Sequence, residues 1–390
     1  MKLRGDWLEA AGTQAVLGML EQAGYQAYVV GGCVRNALLN QPVADIDIST
    51  AATPDEVTKL AKAAGFSPVP TGIEHGTITV VIDGEPHEVT TFRKDVETDG
   101  RRAVVAFSDD IRDDAHRRDF TFNALYAAAD GTLVDPLGGL PDLKARRVRF
   151  IENASQRIRE DYLRILRFFR FYAWYGDAEA GPDDAAIDAC ARLADGLGRL
   201  SKERVGTEMR KLLSAPNPAP AIALMAATGT LQQVLSGADP RFLAPVVHLE
   251  EQAALEPRWQ RRLRVLGSED WSESLRLSRK EQRELTDLDC ALTQSMSPGE
   301  AAYRYGGDVA TDAALIVAAS LGARPPDDLT DSVTRGLRAK FPIAAVDLMD
   351  RYGPGPDLGQ ALKRLEKAWV ASGFNVSQAD LLAIDLEQKL

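Results

Sequence analysis

The hydrophobic pattern of the chain changes once, and that change constrains the fold more than any other feature. Before about residue 135, segments with the apolar spacing of helices alternate with short segments that have the alternation of strands. After the turn-rich segment DPLGG at residues 135–139, strand patterns nearly vanish and helical spacing continues to the end. The sequence therefore predicts an α+β fold, in which an N-terminal domain with a mixed sheet precedes all-helical domains.

Local signals place the first elements. Helices are predicted at residues 7–23, 34–39 and 54–64, and strands at 26–30, 45–49, 77–82 and 88–92. Thr53 before Pro54 is a typical helix start, and Asp83-Gly84 predicts a hairpin between the third and fourth strands. Residues 94–115 lose apolar periodicity and are rich in charge, so we expect a long mobile loop there.

Three domains are expected from the length of 390 residues and from two boundaries. The first boundary is the turn-rich segment, and prolines at 216, 218 and 220 mark the second. The predicted domains are residues 1–138, 139–215 and 216–390. The last of them, after about residue 240, carries no motif that we can interpret.

Composition limits the compartment. No window approaches 18 uninterrupted apolar residues, and the first twenty residues are broken by Asp6, Glu9 and Gln14. We therefore expect neither a membrane span nor a signal peptide. The sequence predicts a cytoplasmic protein. Cysteines at 33, 190 and 290 form no CxxC pair, which argues against a zinc site and against disulfides.

The net charge of −11 is not typical of a nucleic-acid binder. Basic residues are nevertheless concentrated between residues 144 and 170, and a second cluster of arginines follows at 258–264. We therefore expect these two patches, and not the whole surface, to meet a polyanion. For the second cluster an exposed helix face is an equally good explanation.

The first motif is Gly-Gly-Cys-Val-Arg-Asn at residues 31–36, between a predicted strand and a predicted helix. Glycines at such a turn let backbone N–H groups approach a phosphate, and the helix N-terminus adds partial positive charge. Gly31 and Gly32 therefore indicate a triphosphate site. The alternative is that they only form a turn.

The second motif is a pair of aspartates, Asp45 and Asp47, in a predicted strand. Residues i and i+2 of a strand share a face, about 6.6 Å apart along it. Two carboxylates so placed can share two Mg²⁺ ions with substrate phosphates, an arrangement that activates a hydroxyl and stabilises departing pyrophosphate. Glu88, in a strand that can pair nearby, is a candidate third carboxylate. The alternative for all three is the exposed polar face of a strand.

The third motif is RRDFTFNAL at residues 117–125. Arg118 is placed to contact a phosphate. Asp119 and Asn123 are four residues apart, so on a helix they share a face and can hold a ribose. A helix start capped by Asp119 is the alternative.

The fourth motif is a predicted helix over residues 157–170, with one apolar face and one charged face. On the charged face, the Asp161 carboxylate can only accept and the Arg164 guanidinium can only donate. Cytosine and adenine each present an amino donor beside a ring-nitrogen acceptor, so this pair can accept them and refuse guanine and uracil. The alternative is a salt bridge on a solvated face.

Together these segments resemble one known family. GGCVRN, DID, EVTTFR, RRDFTFNAL, DPLGG, EDYLR and Glu203-Arg204 with Glu208 occur in the order typical of class II tRNA nucleotidyltransferases and bacterial poly(A) polymerases, in the DNA polymerase β-like superfamily. The resemblance covers about residues 25–235. TGIEHGT at residues 71–77 is more similar to the CCA-adding branch, and Asn36 stands where the family often has aspartate.

The resemblance implies an activity and its substrates. It implies template-independent addition of CCA to tRNA from CTP and ATP, by a polymerase β-like head followed by a helical neck, body and tail that bind the acceptor arm. It implies two Mg²⁺ ions at Asp45 and Asp47, a ribose site at Asp119 and base selection by Asp161 and Arg164. Glu88, from its predicted place beside the Asp45 strand, is a further candidate catalytic residue, and neither a membrane nor a protein partner is expected. The candidate nucleotide-binding residues are Gly31, Gly32, Arg35, Arg118, Asp119, Asn123, Asp161, Arg164, Arg167 and Arg170.

Three alternatives share most of these motifs. They are a poly(A) polymerase, an enzyme that adds only CC or only A, and an inactive RNA-binding relative. The resemblance implies that the loop at 94–115 is needed to change to adenosine, which argues against a CC-only enzyme. The intact Asp45 and Asp47 argue against an inactive protein.

Overall fold

The structure is a computed structural model that describes residues 1–98, 103–268 and 271–387. Judged on these residues, the chain divides into two units, Met1–Val234 and Leu235–Leu390. The predicted boundaries at residues 138 and 215 stay predictions. None of the helices in the described segments combines the length and the apolar character needed to cross a bilayer.

The first unit contains the predicted mixed sheet. Its strands are β1 (Ala27–Val30), β2 (Asp47–Thr50), β3 (Ser67–Gly72), β4 (Thr77–Ile82), β5 (Glu85–Thr91), β6 (Arg93–Thr98), β7 (Ala103–Phe107), β8 (Tyr126–Ala127) and β9 (Leu133–Val134). Among the described residues, seven strands pair in the order β3-β4-β5-β2-β1-β8-β9, and β2 pairs in parallel with β5. The predicted hairpin at Asp83-Gly84 joins β4 to β5 and is confirmed.

Helices make up the rest of this unit. They are α1 (Asp6–Glu9), α2 (Ala11–Gln22), α3 (Gly32–Leu38), α4 (Pro54–Ala63), α5 (Ile111–His116), α6 (Leu140–Lys144), α7 (Ala154–Glu160), α8 (Leu163–Tyr175), α9 (Asp184–Arg192), α10 (Lys202–Leu213), α11 (Ala219–Ala227) and α12 (Thr230–Val234). At α4, the Thr53 backbone N–H donates to Glu56 over 2.7 Å and the Thr53 hydroxyl accepts from the Glu56 N–H. This capping box explains why the predicted start at Thr53-Pro54 is confirmed.

The helix predicted over residues 7–23 is wrong in one respect, because it is broken at Ala10. Ala10 has an extended backbone, with φ −54° and ψ 135°. The side chains of Thr13 and Gln14 donate to the carbonyl oxygens of Trp7 and Leu8. The two side chains thus supply hydrogen-bond donors to carbonyl groups of α1 that lose their helical partners where the helix breaks.

The expectation of a long loop at residues 94–115 is also wrong. Strands β6 and β7 pair as an antiparallel hairpin, and α5 follows with Asp110 as its N-cap. Residues 99–102 lie outside the described residues. Strand β6 is rich in charge and β7 is a run of five apolar residues, so neither has the apolar–polar alternation that predicts a strand. Their pairing depends on backbone register, which composition does not reveal.

Aromatic side chains pack α8 against the RRDF segment. Phe120 lies 4.7 Å from Phe150 and 5.2 Å from Phe171, ring centroid to centroid. Phe150 also stacks on Phe168 at 5.9 Å. Because Phe120 follows Asp119 and Phe168 follows Arg167 in the chain, this buried cluster fixes polar side chains of the two segments next to each other.

The second unit is helical throughout its described residues. Its helices are α13 (Leu243–Gln252), α14 (Trp259–Val265), α15 (Trp271–Ser274), α16 (Arg279–Thr293), α17 (Pro298–Tyr305), α18 (Gly307–Leu321), α19 (Leu329–Arg338), α20 (Ala345–Tyr352), α21 (Pro356–Ala371) and α22 (Gln378–Glu387). The predicted α+β class, with a mixed sheet before an all-helical remainder, is confirmed.

The arginine cluster at 258–264 is not a phosphate-binding surface as a whole, which corrects the prediction. Arg261 and Arg262 are 2% and 1% exposed. Arg261 bonds to Glu250 over 2.6 Å and to Asp312 over 2.7 Å, and Arg262 bonds to Glu250 over 2.7 Å. Their carboxylate partners come from α13 and α18, so these charges are paired inside the unit and are inaccessible to RNA.

Removing one carboxylate from this network is expected to destabilise the protein. Glu250→Gln removes one of the two carboxylates, Glu250 and Asp312, that neutralise the buried arginines Arg261 and Arg262. We therefore expect the free energy of unfolding to fall by about 3–5 kcal/mol. The matched variant Asp308→Asn removes an exposed partner of Arg258 and should change it by about 1 kcal/mol or less. Denaturant unfolding measures both, and equal effects would contradict the burial of the network.

Candidate active site

The glycine turn brings backbone close to the largely covered side chain of Arg118. Gly31 directly follows β1 and has φ 74°, a conformation that glycine adopts without strain. A Cβ atom at Gly31 would lie 3.4 Å from Nη1 of Arg118. Gly31 and Gly32 are therefore positioned beside a fixed positive charge, as a phosphate site requires.

The three predicted carboxylates lie near one end of the parallel strand pair. Asp47 begins β2 and is the direct register partner of Glu88 on β5. Asp45 lies two residues before β2 and not within it, which corrects the predicted strand, because the ladder begins at Asp47. Partial desolvation and the charges of Glu88 and Asp45 raise the pKa of Asp47, and Arg118 opposes this shift. A cation bound there would relieve the repulsion among these groups.

The donor set suits Mg²⁺ only together with a substrate. Within residues 1–98, 103–268 and 271–387, no three His, Cys, Asp or Glu side chains converge as a group that could hold a metal ion. Mg²⁺ usually binds one or two carboxylates and takes its remaining ligands from water and substrate phosphates. Asp45 and Asp47 fit that mode of binding, since Asp47 lines the same cleft as Gly31 and Gly32.

Arg118 is held by a network that the sequence did not predict. Its guanidinium bonds to the carboxylate of Asp114 over 2.9 Å, and Arg117 bonds to the same carboxylate over 2.8 Å. Tyr126 donates to Asp114 over 2.8 Å, and Ser49 lies 3.5 Å away. The signal that could have found Asp114 is its i,i+4 spacing to Arg118 on a helical segment.

Asp119 and Asn123 are adjacent, although the predicted helix is absent. Residues 121–123 form a 3₁₀ turn, and Asn123 donates to Asp119 over 2.9 Å. Arg167 bonds to the other Asp119 oxygen over 2.5 Å. Burial would raise the pKa of Asp119, but Arg167 and these hydrogen bonds lower it to about 2, so the group stays ionised.

Arg35 lies beneath this pair. It is 7% exposed and donates to Asn123 over 2.6 Å and to the Tyr175 hydroxyl over 2.9 Å. Its guanidinium carbon also lies 4.2 Å from the centroid of the Tyr175 ring. Asn36, in the place of the usual aspartate, accepts from Arg35 over 3.0 Å.

The helix predicted over residues 157–170 is two helices, because the chain bends at Asp161. Asp161 has φ −154° and ψ 108°, and its carboxylate accepts from the Leu163 N–H at the start of α8. The other oxygen of Asp161 pairs with Arg204 over 2.6 Å. Arg164 pairs with Glu160 over 2.5 Å. The bend turns both Asp161 and Arg164 toward one cleft.

These side chains line what we call the arginine-rich cleft, of about 440 Å³. It contains ten of the thirteen predicted site residues, and Asp45, Glu88 and Arg170 lie outside its lining. Arg170 bonds to Glu208 over 2.6 Å. The lining consists of Gly31, Gly32, Arg35, Asp47, Arg117, Arg118, Asp119, Asn123, Asp161, Leu163, Arg164, Arg167, Phe171 and Arg204.

A second cleft, which we call the acidic cleft, lies on the other side of Asp47. Asp45, Asp47 and Glu88 line it together with Asp83 and Glu85 at the tip of the β4–β5 hairpin. Asp47 belongs to both linings. It therefore stands where a polyanion in the cationic cleft and a group in the acidic cleft would meet.

Arg204 is the lining residue that local sequence signals reveal least. It lies 43 residues beyond Asp161, its ion-pair partner, and on a different helix. Glu203-Arg204 contributes to the family resemblance, which implies no role for this pair. No helical or strand spacing connects residues so far apart, so their contact is a product of tertiary packing.

Comparison with family models matches two segments. Residues 27–149 match the Poly A polymerase head domain, and residues 183–242 match a probable RNA and SrmB binding site of polymerase A. The CCA tRNA nucleotidyltransferase 1, mitochondrial, of Danio rerio is 32% identical over 98% of this chain and 93% of its own length. The CCA-adding enzyme of Streptococcus sanguinis is 33% identical over 91% and 92%.

Solved structures show the same architecture. The Bacillus stearothermophilus CCA-adding enzyme in complex with CTP has a TM-score of 0.72 and 27% identity, over 96% of this chain and 97% of that one. The Thermotoga maritima CCA-adding enzyme complexed with tRNA has a TM-score of 0.71 over the full length of both chains. Its identity is 20%, so that likeness concerns the fold.

Proposed function

The chain belongs to the family of CCA tRNA nucleotidyltransferases, the CCA-adding enzymes, and from this membership we propose that it adds C, C and A to the 3′ end of tRNA from CTP and ATP, releasing pyrophosphate. The observation that carries the proposal is the position of Asp47. It lies between the arginine-rich cleft, which six arginines line, and the acidic cleft, which Asp45 and Glu88 line.

The triphosphate would bind at the glycine turn. The Arg118 side chain is largely covered, at 17% exposed, and is fixed there by Asp114, and Gly31 and Gly32 leave room for the phosphates beside it. Fixed cations in a desolvated site stabilise the charge that develops on departing pyrophosphate without first having to reorient. Asp45 and Asp47 would hold two Mg²⁺ ions, which when bound lower the pKa of the attacking hydroxyl and neutralise phosphate charge.

The sugar and base would lie deeper in the arginine-rich cleft. Asp119, ionised and held by Arg167 and Asn123, presents an acceptor for a ribose hydroxyl. Asp161 and Arg164 face the same cleft and would accept the amino group and donate to the ring nitrogen of cytosine or adenine. Arg204 and Glu160 hold these two side chains in place.

The accepting RNA end would enter from the acidic cleft. Asp45, Asp47 and Glu88 line that cleft, so a 3′ hydroxyl reaching them lies opposite the nucleotide. The backbone of the tRNA would contact exposed cations of the segment 144–159. These are Lys144, Arg146, Arg147, Arg149 and Arg159.

A direct assay tests the proposal. The purified protein is given a tRNA transcript that ends before CCA, with labelled CTP, ATP or both, and the product is sequenced. We expect CC with CTP alone and CCA with both. Repeated A residues would indicate a poly(A) polymerase, and CC or A alone a partial enzyme. Binding of the transcript without any incorporation would indicate an RNA-binding protein.

The exposed cations predict how salt affects tRNA binding. Each phosphate contact contributes about one unit to the slope of log affinity against log salt concentration, so Arg146→Gln with Arg147→Gln should lower the slope by about two. Lys59→Gln with Lys62→Gln removes the same charge from α4, away from the segment 144–159, and should leave it unchanged. An unchanged slope in the arginine variant would show that Arg146 and Arg147 do not contact the tRNA backbone.

The compartment stays a prediction. The matched proteins of Danio rerio and Mus musculus are named mitochondrial, whereas the sequence of this chain predicts a cytoplasmic protein.

A further inference from the structure

Asp114 is a buried carboxylate outside both clefts, and the proposed reaction does not use it directly. Its side chain is 0% exposed. It accepts hydrogen bonds from Arg117, Arg118 and Tyr126 at 2.8–2.9 Å, and Ser49 lies within 3.5 Å. Two of these four donors, Arg117 and Arg118, line the arginine-rich cleft.

The same carboxylate connects three elements. Asp114 lies on α5, Tyr126 lies on β8, and Ser49 lies on β2 two residues after Asp47. Arg118 contacts all of these partners, since its guanidinium also lies 3.3 Å from the Ser49 hydroxyl and 3.2 Å from the Tyr126 hydroxyl. The position of Arg118 relative to the strand that carries Asp47 is thus set through Asp114.

Burial would raise the pKa of Asp114, but the charges of Arg118 and Arg117 outweigh it and hold the pKa well below its usual value. The group is therefore ionised throughout the range in which the protein would work. An ionised carboxylate orients a guanidinium through charge-assisted hydrogen bonds, whereas a neutral amide of the same shape does so more weakly.

We propose that Asp114 is a positioning residue that holds Arg117 and Arg118 in the orientation that receives the nucleotide triphosphate. This inference rests on the proposed nucleotidyl transfer. Arginine side chains lose much conformational freedom when they are fixed, and binding is stronger when that loss precedes the arrival of the ligand. Asp114 supplies this preorganisation from a position that never touches the nucleotide.

Its effect is expected to depend on the phosphates and not on the base. Both CTP and ATP carry the same triphosphate, so weakening the hold on Arg117 and Arg118 should affect them equally. A nucleoside without phosphates should be unaffected. A residue that only stabilised the fold would not separate these three ligands.

The test compares Asp114→Asn with the wild type. Equilibrium binding of CTP, ATP and adenosine is measured without tRNA, and KM and kcat are measured with the tRNA transcript. We expect the dissociation constants and KM values of CTP and ATP to rise together by about tenfold or more. We expect the affinity for adenosine and the choice among the four nucleotides to stay unchanged.

Asp385 offers a matched control in the other unit. It is 1% exposed and accepts from two arginines and a tyrosine, which are Arg351, Arg364 and Tyr352. Asp385→Asn therefore removes the same charge from the same kind of donor set. It should lower thermal stability comparably and leave the dissociation constants of both nucleotides unchanged.

A milder variant keeps the test decisive if Asp114→Asn does not fold. Tyr126→Phe removes one donor to Asp114 without changing charge or volume greatly, and we expect a smaller rise in the same two constants. Unchanged CTP and ATP binding in folded variants would overturn the inference, as would an equal loss of adenosine binding. Failure of the wild type to extend tRNA would instead overturn the proposed function, because nucleotide binding is measured separately.

Discussion

Replacing Asp47 by asparagine is expected to reduce nucleotide addition by about three orders of magnitude or more. The change keeps the shape of the side chain and removes its charge. The two Mg²⁺ ions proposed at Asp45 and Asp47 would stabilise several kcal/mol of charge in the transition state, and about 4 kcal/mol corresponds to a thousandfold in rate. Single-turnover addition of labelled CTP to the tRNA transcript measures the loss.

The hairpin tip of the acidic cleft supplies the control. Asp83 lines the same cleft and has φ 51°, a conformation that asparagine tolerates. Asp83→Asn therefore removes one carboxylate from the same region without strain, and addition should continue at nearly the normal rate. If Asp47→Asn kept near-normal incorporation while Asp83→Asn lost it, the assignment of the metal-binding carboxylates would be wrong.

The second large effect concerns the choice of base. Arg164→Ala should lose most incorporation of both CTP and ATP, and Asp161→Ala should lose discrimination against UTP and GTP. A site built on buried hydrogen bonds can reject a wrong partner by about 10⁴–10⁵, because mismatched donors and acceptors stay unpaired. Incorporation of all four nucleotides by each variant, on a tRNA ending before CCA, measures the change.

An exposed pair provides a comparison for this experiment. Asp188 and Arg192 form an i,i+4 salt bridge on α9 at 2.8 Å, with about 60% of each side chain exposed. Such pairs contribute about 0.5 kcal/mol, so Arg192→Ala should leave base preference unchanged. Unaltered discrimination in both Asp161→Ala and Arg164→Ala would falsify their role and move base selection elsewhere in the cleft.

Local chemistry predicted those elements whose signals lie within a few residues. The Thr53-Pro54 start of α4 and the Asp83-Gly84 hairpin are correct because caps and turns depend on adjacent backbone groups. The change of pattern at residues 135–139 also marks the end of the sheet, since β9 ends at Val134. Each of these features is decided by hydrogen bonds between residues close in sequence.

Other predictions failed where long-range pairing decides the outcome. The apolar–polar alternation predicts Asp45 within a strand, but β2 begins at Asp47 because its partner β5 sets the start of the ladder. The arginines Arg261 and Arg262 have the spacing of an exposed helix face. Their burial follows from carboxylates on two other helices, which helical periodicity does not contain.

The sequence by itself determined the class of fold, the order of the motifs and the kinds of chemical groups available: glycines for a phosphate, paired carboxylates for a cation, and an aspartate and arginine for a base. Only the tertiary structure decided which of them meet. It placed Asp47 opposite Glu88, Arg204 against Asp161, and Arg118 against Asp114 and Tyr126. The physical reason is that periodicity and capping are properties of neighbouring residues, whereas ion pairs across 40 or more residues, such as Asp161–Arg204, form only once buried side chains bring their segments together.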